Sequence, residues 1–183
     1  MGALVVLEDS GVTLGGRSIL RGLSLSLGAG EVLGAALGSA EVYQVRRQIG
    51  MIGHTPAVIG ELSLRENLEH AIRLAGADPS RIEPALRVVG LDEAAHRTVE
   101  TSSHGMLRRT EVARLLITEP RLLLLDEAYS GLDFYAQELI DALIERATAD
   151  GGAVVVVSHD LRHLAERAGR VLNLSAGRLE PVP

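Results

Sequence analysis

Arg121-Leu122-Leu123-Leu124-Leu125-Asp126-Glu127-Ala128-Tyr129-Ser130-Gly131-Leu132-Asp133 is the stretch that decides the fold. Four consecutive leucines show no polar alternation, so they read as a strand covered on both faces, with two carboxylates at its carboxyl end. Asp133 then opens a helical pattern over Phe134–Thr148, and Val154–Val157 repeats the apolar run before Ser158-His159-Asp160. Strand, helix, strand of this kind predicts a parallel sheet clothed by helices, an α/β fold. In such sheets ligands gather beyond the carboxyl ends of the strands. Asp126-Glu127 and Ser158-His159-Asp160 occupy two such ends.

Upstream, Ser63-Leu64-Arg65-Glu66 is a capping box whose helix runs to Gly76. A second helix follows Ser80 and stops at Gly90. A third starts near Ser103–Met106 and reaches Pro120, with Val112, Leu115 and Leu116 on one face. Ile49–Gly53 reads as a short buried strand. The N-terminus is β-rich: Ala3–Leu7, Ser24–Leu27 and Val32–Leu37 are strands parted by Gly15-Gly16 and Gly28-Ala29-Gly30 turns. Leu161–Ala168 is expected to be a helix ending at Gly169. The 183 residues, with no internal repeat or low-complexity tract, therefore read as a single domain, 1–183, with a helical subdomain at about 60–120.

Composition narrows the function. The net charge of −6 and the four aromatic residues (one Phe, three Tyr) argue against a nucleic-acid partner, which needs a clustered basic surface and stacking platforms. No apolar run approaches the ~18 residues of a bilayer span, so no direct membrane insertion is expected. Met1-Gly2-Ala3-Leu4 has no basic region and Glu8-Asp9 follow, which predicts no signal peptide. The absence of cysteine excludes thiolate chemistry and suits a cytoplasmic protein. All 18 basic residues are arginine. Arginine does not replace lysine where a compact ammonium must enter a tight backbone loop.

Several short motifs carry chemistry. An aspartate at Asp126 suits Mg²⁺, and the adjacent Glu127 suits polarising a water; paired carboxylates at a strand end also serve as caps or solvated turns. Asp133 likewise reads as an ordinary N-cap, and His159 as a structural histidine. Ser102-Ser103-His104-Gly105-Met106 places a serine and a glycine at a helix N-terminus, where free N–H groups attract phosphate.

Taken in order, these motifs resemble the ABC-transporter ATPases. Ser103-His104-Gly105-Met106 is similar to the family's signature, Leu122–Asp126 with Glu127 to its Walker B, Ser130-Gly131-Leu132-Asp133 to its D-loop, and His159 to its switch histidine. Ile49–Pro56, followed by Glu61–Leu68, resembles the Q-loop region, with His54 at the glutamine position. Gly53-His54 and Ser-His-Gly-Met look like the haem-exporter ATPases of cytochrome c maturation. The resemblance spans essentially the whole chain. It implies a P-loop-NTPase-like parallel sheet with an N-terminal antiparallel β region and a helical insert. It implies ATP and Mg²⁺ as cofactors, with Asp126 at the metal, Glu127 and His159 catalytic, and Ser103, Gly105, Asp133, His54 and Gly38 binding nucleotide.

One family feature is missing. A P-loop ending in Gly-Lys-Ser/Thr should follow Gly30–Gly38, but the chain continues Ser39-Ala40-Glu41-Val42-Tyr43-Gln44-Val45-Arg46-Arg47-Gln48. Eleven residues (38–48) separate Leu37 from Ile49, close to the ~10–12 minimum for a crossover with its helix. The P-loop and its helix are thus expected to be truncated, with Arg46-Arg47 a solvated pair, and part of the apolar surface of Val32–Ala36, Leu122–Leu125 and Val154–Val157 is expected to be exposed. Leu14 stands where an aromatic usually stacks on adenine.

The resemblance implies the ATPase subunit of a membrane exporter, inactive or very weak alone. The alternative is a degenerate cassette that completes a partner's site. Either way the expected partners are permease subunits and a second ATPase domain, in a homo- or heterodimer peripheral on the inner face of the cell membrane.

Overall fold

In a computed structural model, residues 5–14, 17–27, 47–159, 168–175 and 178–181 are described. The organising element is strand β4 (Leu122–Asp126), which lies between β3 (Ile49–Ile52) and β5 (Ala153–Val157), both parallel to it. Its register pairs Leu122 with Ile49 and Ala153, and Leu125 with Ile52 and Val156. The α/β class expected from the two apolar runs is observed.

Alternation along these strands gives the sheet two unlike faces. Ile52, Leu123, Leu125 and Val154 point into the main core with Leu64, Leu68, Leu86 and Leu115. Leu122 and Ala153 face the other way and are buried with partly covered Ile49, Leu124 and Val155. On that second face, Met51 and Val157 are about half exposed (49% and 54%). Of the apolar surface expected to open in part along both strands, Leu122, Leu123, Leu125 and Val154 are buried, whereas Leu124, Val155 and Val156 are partly covered and Val157 is exposed.

The helical subdomain follows the capping logic of its sequence. Helix α1 (Leu64–Ala75) has the full reciprocal box: Ser63 Oγ accepts from the Glu66 amide, and Glu66 Oε2 accepts from the Ser63 amide at 2.8 Å. It closes on Gly76 in the left-handed region (φ 68°). The next helix opens as a 3₁₀ turn, Pro79–Arg81, capped by Asp78 rather than Ser80, and continues as α2 (Ile82–Val88). Proline at the first position is preorganised for that turn. Helix α3 (His104–Thr118) is covered on most sides, whereas α4 (Phe134–Ala149) presents Ala136, Leu139, Ile140 and Leu143 to the core. Helix α3 approaches β3 so closely that a Cβ on Gly50 would meet Leu115 Cδ2 at 2.5 Å and Pro120 Cγ at 2.6 Å.

Outside the core, β1 (Val5–Leu14) and β2 (Arg17–Leu27) form an antiparallel ribbon, Val5 opposite Leu27 and Leu14 opposite Arg17. Both strands exceed the predicted Ala3–Leu7 and Ser24–Leu27. Register shifts after Leu7 and Ser10 break the alternation that would have revealed them. A C-terminal hairpin, β6 (Leu172–Ser175) with β7 (Arg178–Pro181), was not expected. The strand predicted at Val32–Leu37, Gly38 and the rest of the P-loop region, and most of the helix predicted at Leu161–Ala168 lie outside the described residues.

Helix α3 ends without a glycine. Glu119 takes the left-handed cap position (φ 45°) directly before Pro120, which has no N–H with which to continue the helix. Arg81 binds its carboxylate (Nη1 to Oε2, 2.8 Å), and Arg146 contacts Oε1. The hydrogen bonds from Arg81 hold the Glu119 carboxyl below its ordinary 4.5. A carboxylate depressed in the folded state stabilises above its unfolded pKa and loses that contribution as pH falls through the folded value. Glu119→Gln is therefore expected to cost on the order of 1 kcal/mol or less above pH 4.5. The gap to wild type should close on further acidification, read from urea midpoints across pH.

Candidate functional site

The strand ends deliver the site. Glu127, immediately after β4, sits in the left-handed region at φ 50°, its amide bonded to the Val157 carbonyl at 2.9 Å. That bond extends the β4–β5 ladder one step past the strand and fixes the turn. Its carboxylate (25% exposed) accepts from the His159 amide at 3.1 Å and lies 3.0 Å from His159 Nδ1. The His159 ring is 83% exposed, so its other nitrogen faces solvent. Sequence positions 32 apart thus meet because β5 runs parallel beside β4.

The loop that follows is rigidly built. Ser130 N–H donates to the Glu127 carbonyl, Gly131 takes φ 69°, and Asp133 caps α4 by accepting from Ala136 N–H at 2.8 Å. Tyr129 donates its hydroxyl to Asp141 at 2.7 Å, tying the loop back to α4. Asp133 is thus an N-cap in this structure, whatever else it contacts in an assembly.

Ser103 and Gly105 lie at the other end of the constellation, on the N-terminus of α3. Ser103 Oγ accepts from Met106 N–H at 3.3 Å, and Ser103 and His104 are exposed. A Cβ added to Gly105 would meet only Ser103 Oγ, at 4.0 Å. No internal packing demands a glycine there, and the backbone around it is open to approach. Among the described residues no hydrogen bond joins Ser103 or Gly105 to Glu127 and His159. His54 is exposed two residues past the end of β3, with its carbonyl held by Arg108.

These groups suit a hard cation. Asp126 and Glu127 are successive carboxylates at the end of β4, although among the described residues no group of three His, Asp or Glu is arranged to hold a metal by itself. Mg²⁺ is bound in that manner, through one or two carboxylates, waters and substrate phosphates.

A family model described as ABC transporter matches residues 16–130. A phosphonates import ATP-binding protein, PhnC, of Trichormus variabilis is 33% identical over 175 residues, covering 89% of this chain and 72% of the relative. The chain belongs to the ABC transporter ATP-binding family. A cytochrome c biogenesis ATP-binding export protein, CcmA, of Cupriavidus necator is 30% identical over 192 residues, covering 86% of this chain and 85% of the relative. The fold matches a solved structure titled as the ATP-binding subunit of an ABC transporter, with a TM-score of 0.84 at 21% identity, covering 97% of this chain and 88% of the other. Importers and exporters thus stand at similar distance, and the subgroup suggested by Gly53-His54 is not singled out. No helix among the described residues is long and apolar enough to cross a membrane.

What the sequence left unread is the charged stripe Arg108, Glu111 and Arg114 on α3, spaced three residues apart as if on a solvated face. Arg108 and Glu111 are in fact buried together. Burial pushes the Glu111 carboxyl up, against the lowering pull of the Ala57 amide, Arg108 and Arg114.

A non-glycine residue in the left-handed region costs about 1 kcal/mol or more. The exposed contact with His159 returns little of that. Glu127→Gly is therefore expected to stabilise the fold by up to about 1 kcal/mol, seen as a higher denaturation midpoint. A lower midpoint would show that the Glu127–His159 contact outweighs the strain.

Proposed function

We propose that this chain is the nucleotide-binding subunit of an ABC-type membrane exporter whose own ATP site is impaired. The carrying observation is the pairing of Glu127 with His159 beside Asp126 at adjacent parallel strand ends. There Asp126 would hold Mg²⁺, Glu127 would accept a proton from water, and His159 would orient the Glu127 carboxylate. ATP supplies the phosphoryl group for hydrolysis when bound. Relatives named as importers and as exporters are matched at similar identity, so the choice of export rests on Gly53-His54 and Ser103-His104-Gly105-Met106, which look like the haem-exporter ATPases.

Impairment rests on the lysine-free composition and the eleven residues allotted to positions 38–48. Losing about four charge-assisted hydrogen bonds at ~1.5 kcal/mol each weakens nucleotide binding by roughly 6 kcal/mol, or about four decades. The isolated chain is accordingly expected to bind Mg-ATP at millimolar levels or worse and not turn it over. Equilibrium titration with a labelled nucleotide checks this, and a micromolar Kd would overturn it. Attachment to a membrane would run through a permease, with vesicle binding by the purified chain alone as the contrary result.

A second reading is favoured by the exposed, unobstructed N-terminus of α3. A cassette without its own P-loop still has a signature end to offer a γ-phosphate presented by a partner, through Ser103 and the N–H groups around Gly105. Mixed with a competent family member, the chain is then expected to stimulate hydrolysis. Ser103→Arg should abolish that stimulation, while Glu127→Gln should leave it nearly unchanged. Loss of stimulation in Glu127→Gln would instead mean that the chain's own site turns over.

A further inference from the structure

The segment Gly53–Ala57 has no regular secondary structure, yet a single helix grips its backbone. Arg108 and Glu111 on α3 form a 2.8 Å ion pair in which each side chain is 1% exposed. Arg108 Nη1 also donates to the Gly53 carbonyl at 2.7 Å, and Nη2 donates to the His54 carbonyl at 3.1 Å. The Ala57 amide donates to Glu111 Oε1 at 3.0 Å. One turn further along α3, Arg114 donates to the Met51 carbonyl at 2.7 Å.

Stability alone does not account for the pair. Replacing a buried ion pair by apolar side chains of similar volume is often neutral or stabilising. Here Arg108 Nε is moreover buried without a partner, an additional cost. What an apolar pair lacks is the ability to hold carbonyls and an amide of an irregular segment. Only a planar guanidinium reaches two successive carbonyls and a carboxylate at once. The same helix begins at Ser103, about one and a half turns upstream.

We propose that Arg108 and Glu111 are positioning residues that join the His54 segment to α3, so that His54 and the Ser103 end move as one rigid body. Any force that displaces His54 is then delivered to Ser103, rather than absorbed by a loose loop. The significance of this for transport rests on the function proposed above; the mechanical linkage does not, and no nucleotide enters its test.

The chain has no cysteine, so a His54→Cys/Ser103→Cys chain carries two unique spin labels. With Arg108 and Glu111 intact, the inter-label distance distribution is expected to be single and narrow. In Arg108→Met/Glu111→Leu the melting midpoint should be held or raised, while the distribution broadens. The Ala57 amide, without labels, should exchange hydrogen at least about tenfold faster. A folded double variant that keeps both the narrow distribution and the wild-type Ala57 exchange overturns the proposal. If that variant does not fold, Arg108→Lys decides by the distance distribution, which should broaden because lysine keeps the charge and loses the fork, and a distribution as narrow as wild type overturns the proposal.

Discussion

The parallel pairing of β4 with a neighbour on each side is the constraint on which the rest depends. Because all three strands run the same way, their carboxyl ends share one edge of the sheet. Ile52 leads to Gly53-His54, Asp126 to Glu127, and Val157 to Ser158-His159. Three polar segments separated by more than 100 residues of sequence (52 to 158) are thereby brought to one edge. An antiparallel arrangement of the same strands would have sent the middle one to the opposite edge. The apolar runs that build the sheet are therefore also what collects the chemistry.

Backbone that leaves such an edge loses its ladder partners and must find others. Each of the three segments solves this differently. Glu127 borrows the Val157 carbonyl and accepts a left-handed conformation to do so. His159 donates its amide to the Glu127 carboxylate, so the two exits satisfy one another. The His54 segment turns to α3, where Arg108 and Glu111 supply the donors and acceptor. Polar groups buried in this way are tolerated only because nearly all their capacity is used.

How much was legible in the sequence follows from the same physics. Runs such as Leu122–Leu125 and Val154–Val157, and caps such as Ser63/Glu66 and Asp133, state their structure locally, and each was read correctly. The placement of Asp126, Glu127 and His159 at strand ends was legible for that reason too. The N-terminal ribbon was only half visible, because its register shifts scramble the period-two pattern. The α3 stripe was invisible, since an Arg and a Glu three residues apart look the same whether they meet water or a loop from 54 residues away. Sequence periodicity reports the medium a helix face meets on average. It does not report a specific tertiary partner.

The chain's exclusive use of arginine becomes intelligible at this level. Arg109 donates to the carbonyls of Val89 and Gly90 where α2 ends, Arg81 spans Glu119 and the Leu116 carbonyl, and Arg108 bridges two carbonyls and a carboxylate. All are sites where a planar, multi-donor head spans acceptors several ångströms apart, which an ammonium does less well. The demand at a P-loop is the reverse: a compact point charge at the end of a slender stem. A chain with 18 arginines and no lysine is thus well supplied for pinning helix ends and loops, and unsupplied for gripping a phosphate in a tight backbone turn. Arg65, Arg81, Arg108, Arg109 and Arg114 of the helical subdomain are committed to carbonyls or carboxylates, so none of these five could move to a phosphate without releasing such a contact.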